Sequence, residues 1–207
     1  ETNFVHSARL LATVLGRTGD YERADTLLAE IIDRTRRSGG AGSATLGSLY
    51  AAQGHNLRNA GRFGAAVKAY DMARQNYEAV NLPNLGGWRS LNAGRAKAHA
   101  ALGDWRQVEA LSADVLQRFQ KLSAPGDDLL TERIELAIAR ARSGEWTREC
   151  SVMQSAFKDA EGKSHHRALV RAFASQAVEV CTLSGGPRQL EFARALLLAR
   201  ASHADLG

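Results

Sequence analysis

Residue types able to do chemistry are sparse in this chain, and their spacing defeats most of what they could do. His165 and His166 form the one adjacent histidine pair. Neighbours on a helix point about 100° apart, so they do not converge on one metal ion as residues four apart can. His6, His55, His99 and His203 are scattered among different segments, and no metal site is expected from them. Cys150 and Cys181 could approach across adjacent helices, but no base is fixed nearby to activate a thiol. Two cysteines are too few for a disulfide framework, and both fall in helical segments. They read as free buried thiols, which favours a reducing, cytoplasmic location.

Phosphate and acid chemistry fare no better. The run Gly39 to Gly42 lacks a following Lys-Ser/Thr and follows no strand, so it reads as a joint between helices. Gly162-Lys163-Ser164 matches the last letters of a phosphate loop, but the first glycine of that motif falls at Phe157. Asp127-Asp128 precedes Leu129-Leu130 and suits a helix start, where carboxylates accept unpaired amides. Arg34, Arg36 and Arg37 suit a helix end for the opposite reason. With no catalytic constellation, the chain reads as a non-enzyme with no cofactor.

The balance of charge is +5, with a pI near 9.6. Of 27 basic residues 22 are Arg, and they are dispersed, whereas a surface that tracks phosphates clusters them on one face. Nucleic acid is therefore not the expected partner. No apolar run approaches the roughly 20 residues that cross a bilayer. Glu1 stands where an initiator Met would, which reads as a cut within a longer chain or after a removed segment.

The elements that must position any site repeat. Gly19-Asp20-Tyr21, Gly61-Arg62-Phe63, Gly103-Asp104-Trp105 and Gly144-Glu145-Trp146 share one pattern, at spacings of 42, 42 and 41. Seven residues before each Gly stand Ala12, Gly54, Ala96 and Ala137. Five after it stand Ala24, Ala66 and Val108, with Glu149 breaking the pattern in the fourth unit. A second set of breakers falls midway: Ser38-Gly39-Gly40, Pro83-Asn84 with Gly86-Gly87, Pro125-Gly126 and Gly162-Lys163. Between breakers the apolar residues recur at three and four, as in Ala24, Leu27, Leu28, Ile31 and Ile32, the helical period. Gly permits the left-handed backbone at a helix end, the aromatic packs into the corner so made, and small residues let paired helices approach. One hairpin does not bury its apolar faces alone, so hairpins stack.

Leu11-Ala12, Leu15 and Gly19-Asp20-Tyr21-Glu22-Arg23-Ala24, then Tyr50, Gln53-Gly54, Leu57, Gly61, Phe63, Ala66 and Tyr70, resemble tetratricopeptide repeats. The ~42-residue period resembles the long-helix kind found in kinesin light chains and in bacterial signalling proteins rather than the 34-residue kind. The resemblance implies an all-α, right-handed αα-hairpin solenoid, a superhelix of about five hairpins near 3–38, 43–81, 88–122, 127–160 and 164–204. These would form one domain over 1–207, a fragment of a larger protein. Pro187 suits the first position of the last helix.

The resemblance also implies a concave groove lined by the first helix of each hairpin. Carried over residue by residue, Arg9, Thr13, Arg17, His55, Arg58, Asn59 and Lys97 face it. Such a face suits a protein or peptide that is acidic or bears carboxylates, because Arg pairs carboxylates through two parallel bonds. Arg9 could stand for the first cation of the clamp that chaperone-binding members use, but Thr13, Ala52, Ser90 and Gly94 occupy its other positions, against chaperone-tail binding. Trp88, Trp105 and Trp146 read as packing residues. The expected function is a protein-interaction scaffold; the alternative is a regulatory array controlling a protease, kinase, NTPase or DNA-binding domain outside this segment.

Overall fold

Glycine sets the corners of this structure, a computed structural model that describes residues 2–38, 43–80, 85–121, 126–162 and 166–204. Gly19, Gly61, Gly103 and Gly144 all have positive φ, from 75° to 114°, where an L side chain is strained. At each corner the amide after the glycine donates to a carbonyl five residues back: Asp20 to Leu15, Arg62 to Leu57, Asp104 to His99 and Glu145 to Arg140. These bonds satisfy carbonyls left orphaned by the ending helix. The expected left-handed corner is thus present in all four units.

The helices are α1 (Thr2–Arg17), α2 (Tyr21–Arg37), α3 (Ala44–Asn59), α4 (Phe63–Ala79), α5 (Leu85–Ala101), α6 (Trp105–Lys121), α7 (Gly126–Arg142), α8 (Trp146–Ala160), α9 (His166–Ser184) and α10 (Pro187–Ala204). There is no strand among the described residues. Ser43 caps α3, its hydroxyl accepting from the Leu46 amide at 3.1 Å. Pro187 occupies the first position of α10, where its missing N–H costs nothing. Gly86 and Gly87, expected as breakers ahead of a helix starting at Trp88, instead lie inside the first turn of α5. Amides there have no intrahelical partner to lose, so glycine is tolerated. The run Gly39–Gly42, together with Pro83, Asn84, Pro125, Lys163, Ser164 and His165, lies outside the described residues. So do the side chains of Asp127, Asp128, His166 and His203.

Two compact units form, Glu1–Asp104 and Trp105–Gly207. In the first, α3 packs on α1, α2 and α4, and α5 packs on α3 and α4. Its core runs from Ala8 and Ala12 through Leu28, Ile31, Leu49 and Tyr70 to Leu91 and Ala98. Tyr70 is wholly buried because glycines of α3 and α5 let both helices approach its ring. A Cβ at Gly54 or at Gly94 would lie 2.7 Å from ring atoms. The small residue expected before the second corner therefore serves one specific aromatic.

In the second unit α7 packs on α6, α8 and α9, and α10 packs on α9 and α8. Ile134, Met153, Phe157, Val170 and Val180 fill its core. Arg142 lies over the Trp105 and Trp146 rings, at 5.7 and 5.9 Å from their centroids, and pairs with Glu179. Both tryptophans are half-buried corner residues, as packing requires. Glu149, in the position that is small elsewhere, is buried, and burial raises its carboxyl above the usual 4.5 while Arg140 and Arg148 pull it down.

The cysteines correct the sequence reading. Cys150 on α8 and Cys181 on α9 are joined as a disulfide, with Cα atoms 5.0 Å apart. Packing of α8 on α9 brings two buried positions of different repeats together, a juxtaposition that spacing alone does not reveal. The thiol argument for a reducing compartment falls with it.

Candidate functional site

A hollow of about 310 Å³ opens in the first unit between α1 and α3. Its floor is small because Ala12, Gly16, Ser48, Ala51 and Ala52 carry little side chain. Arg9, Thr13 and Arg17 run along one side of α1 at intervals of four, the spacing that keeps them on one face. His55 and Asn59, also four apart, come from α3. Five of the seven residues proposed for partner binding thus line one cavity. Arg58 and Lys97 are not in its lining, yet their charges reach His55 and help hold its pKa down.

His55 is a neutral group at neutral pH. Burial lowers its pKa from 6.5, and the Arg58 and Lys97 charges lower it further. Its Nδ1 lies 2.9 Å from the Tyr70 hydroxyl, and the two rings meet edge to face at 5.3 Å. Burial pushes the Tyr70 phenol up to about 12, so the hydroxyl keeps its proton. In the tautomer with its proton on Nε2, the imidazole accepts from Tyr70 at Nδ1 and presents Nε2 as a second donor.

Among the lining residues outside that set, Tyr77, Asn56 and Gly16 shape the hollow. Tyr77 comes from α4 and enters because Gly47 leaves room: a Cβ there would lie 2.7 Å from the Tyr77 ring. Burial raises the Tyr77 phenol, and the Arg9 charge opposes that shift. Asn56 is buried, its amide donating to the Tyr21 carbonyl at 2.9 Å while its Oδ1 has no hydrogen-bond partner. Gly16 makes this fit, since a Cβ at that position would lie 2.8 Å from Asn56 Oδ1. A signal for Asn56 did exist. It stands five residues before the corner glycine, where Val14, Ala98 and Ala139 are apolar.

The electrostatics of the hollow are one-sided. No acidic residue lines it. Several arginines elsewhere are matched: Arg62 with Asp25 at 3.0 Å, Arg95 with Asp71 at 2.6 Å, Arg140 with Glu109 at 3.0 Å. Among the described residues, by contrast, Arg9, Arg17 and Lys97 form no ion pair, and Arg58 donates to the neutral Asn59 Oδ1 at 3.0 Å. Thr13 turns its hydroxyl to the Arg9 carbonyl, 2.9 Å away. Cations, amides and a neutral imidazole can recognise an anion. Among the described residues there is no group of three His, Cys, Asp or Glu side chains placed to hold a metal ion. No helix there is long and apolar enough to cross a membrane.

Comparison with known proteins identifies the architecture. No family model matches the sequence, and no curated protein matches it. Solved structures do. A protein from Podosopora anserina assigned as a kinesin light chain, with nearly identical TPR-like repeats, superposes with a TM-score of 0.79 at 17% identity, over 99% of this chain and 96% of that one. A single-residue variant of it gives 0.80 at 18% identity, over 98% and 95%. BtubC (BKLC) from P. vanneervenii gives 0.76 at 18% identity, over 96% of this chain and 80% of its own. The fold is therefore that of TPR-like repeat proteins, an all-α solenoid.

Proposed function

We infer that this TPR-like chain is a protein-interaction module without catalytic activity. On this reading the hollow between α1 and α3 receives a peptide or partner segment that bears carboxylates. One observation carries the reading: cations gather around a cavity with no acid in its lining, whereas Arg62, Arg95 and Arg140 each stand beside a carboxylate. Leaving such charges unmatched costs electrostatic energy that an incoming carboxylate recovers, and bonds between charged groups are about twice as strong as neutral ones. Arg9 and Arg17 would meet the carboxylates, Lys97 and Arg58 would supply field, and Nε2 of His55, Asn59 and the Thr13 face would fix register.

A peptide array scanned at low and moderate salt tests this. Acidic peptides should be retained, and the double change Arg9→Glu with Arg17→Glu should abolish retention while leaving helicity intact. Equal retention of neutral and acidic peptides would remove the proposal. Binding of single- or double-stranded nucleic acid that collapses steeply with salt would favour a phosphate partner instead. The Cys150–Cys181 bond fits an oxidising compartment, and we carry no cytoplasmic assignment forward.

A further inference from the structure

His55 is the one histidine in the lining of the hollow, and it is anchored where the arginines there are not. Its Nδ1 lies 2.9 Å from the Tyr70 hydroxyl, and the two rings meet edge to face. Tyr70 is itself wholly buried, with Gly54 and Gly94 bringing α3 and α5 against its ring. The core therefore fixes one edge of the imidazole and leaves Nε2 as the nitrogen free to meet an occupant.

The charges that act on His55 are positive. Arg58 comes from its own helix and Lys97 from α5, while α1 brings Arg9 and Arg17 to the same hollow. From α4 come the phenols of Tyr70 and Tyr77. Two acids on the packed helices, Asp25 of α2 and Asp71 of α4, are engaged by Arg62 and Arg95. Without a counter-charge the imidazole stays neutral, because burial and its cationic neighbours both oppose protonation. A carboxylate entering the hollow reverses that balance. It sets an opposite charge beside the ring and offsets the arginine charges at the same time.

Resting on the carboxylate reading above, we propose that an acidic partner segment docks on His55 and that the imidazole takes up a proton as it does. The proton comes from water and leaves the ring with N–H on both nitrogens. Nε2–H then makes a charge-assisted bond to the carboxylate. Nδ1–H donates to Tyr70, whose hydroxyl turns from donor to acceptor, as a phenol can. The hollow thus grips acidic partners more tightly at mildly acidic than at alkaline pH. By reciprocity, an occupied hollow holds the histidine proton more tightly. The other groups do not share this behaviour. Arginine and lysine hold their protons throughout the range in which histidine titrates, and burial keeps the Tyr70 and Tyr77 phenols protonated.

Calorimetric titration of the 207-residue chain with an acetylated, amidated hexa-aspartate peptide tests this between about pH 6 and pH 8, where aspartate is ionised. The association constant should rise about three- to tenfold from the upper to the lower pH. Buffers of different ionisation enthalpy should reveal uptake of a fraction of a proton at the lower pH. His55→Gln should abolish both the tightening and the uptake. His99→Gln, whose imidazole faces Asp104 at 3.2 Å instead, should keep both. In the wild-type chain, the His55 ring-proton resonance should titrate at higher pH when the peptide is saturating. Binding that Arg9→Glu with Arg17→Glu abolishes, yet that ignores pH, overturns this proposal and leaves the carboxylate reading standing. So does tightening that persists in His55→Gln, or a His55 titration that the peptide does not move. If hexa-aspartate binds at neither pH, both readings fall.

Discussion

Alanine at position 54 should destabilise the first unit, although glycine-to-alanine changes inside helices ordinarily stabilise by up to about 1 kcal/mol. The new Cβ would sit 2.7 Å from Cδ1 and Cε1 of Tyr70 and 2.9 Å from Cγ. Carbon pairs are comfortable near 3.5–4.0 Å, so the ring must retreat by roughly an ångström. It has nowhere to go. Gly94 on α5 also abuts the ring, with a Cβ site 2.7 Å from the ring end, and the hydroxyl is held on His55. Overpacking of this kind costs about 1–3 kcal/mol, and a displaced hydroxyl forfeits about 1 kcal/mol more. Set against the helical gain, Gly54→Ala should lose about 1–3 kcal/mol. Equilibrium urea unfolding followed by circular dichroism reads the change as a lower midpoint at constant slope. Gly64→Ala is the matched control: it is exposed in α4 with nothing within 4 Å and should raise the midpoint. In a Tyr70→Leu background the sign at position 54 should reverse, because the clash has lost its partner. If Gly54→Ala stabilises the wild-type chain as Gly64→Ala does, the close-approach argument fails.

The Cys150–Cys181 bond closes a separation of 31 residues, so a reductant or Cys181→Ala should cost about 3–4 kcal/mol in the unfolding of the second unit; no shift of the midpoint on reduction would contradict the bond. His55 is held below 6.5, so between that lowered value and 6.5 the unfolded chain binds more protons. Stability should therefore rise with pH through that window and level off above 6.5, and His55→Gln should flatten the slope; an unchanged slope in the variant would place its source elsewhere. Glu149 is raised above 4.5, so the folded chain holds the extra proton and stability should fall as pH climbs through the range just above 4.5. Glu149→Gln should remove that decline and raise the urea midpoint at neutral pH; a lowered midpoint would show that the charge is stabilising.

The corners of this fold were legible because they depend on local chirality. A left-handed residue must be glycine at small cost, and Gly19, Gly61, Gly103 and Gly144 mark it by type alone. Pro187 and the arginines closing α2 were legible for similar local reasons. Contacts between repeats were not. Nothing in the spacing of Cys150 and Cys181 distinguishes a bonded pair from two buried thiols; only the packing of α8 on α9 does. Glycines 86 and 87 look like breakers, yet the first turn of a helix asks little of its amides. At the hollow, the α1 and α3 polar residues were placed by the resemblance to tetratricopeptide repeats, which implies a groove lined by the first helix of each hairpin. Tyr77 was not, because it reaches in from α4 through a gap that Gly47 opens, and that is a tertiary fact.

The most direct test of recognition in the hollow is an amide chemical-shift titration of the isotope-labelled chain with an acidic peptide. Saturable shifts should gather at Arg9, Thr13, Arg17, His55 and Asn59, and should vanish in the Arg9→Glu, Arg17→Glu double variant. Shifts centred instead on the second unit, with those five residues unmoved, would contradict the account.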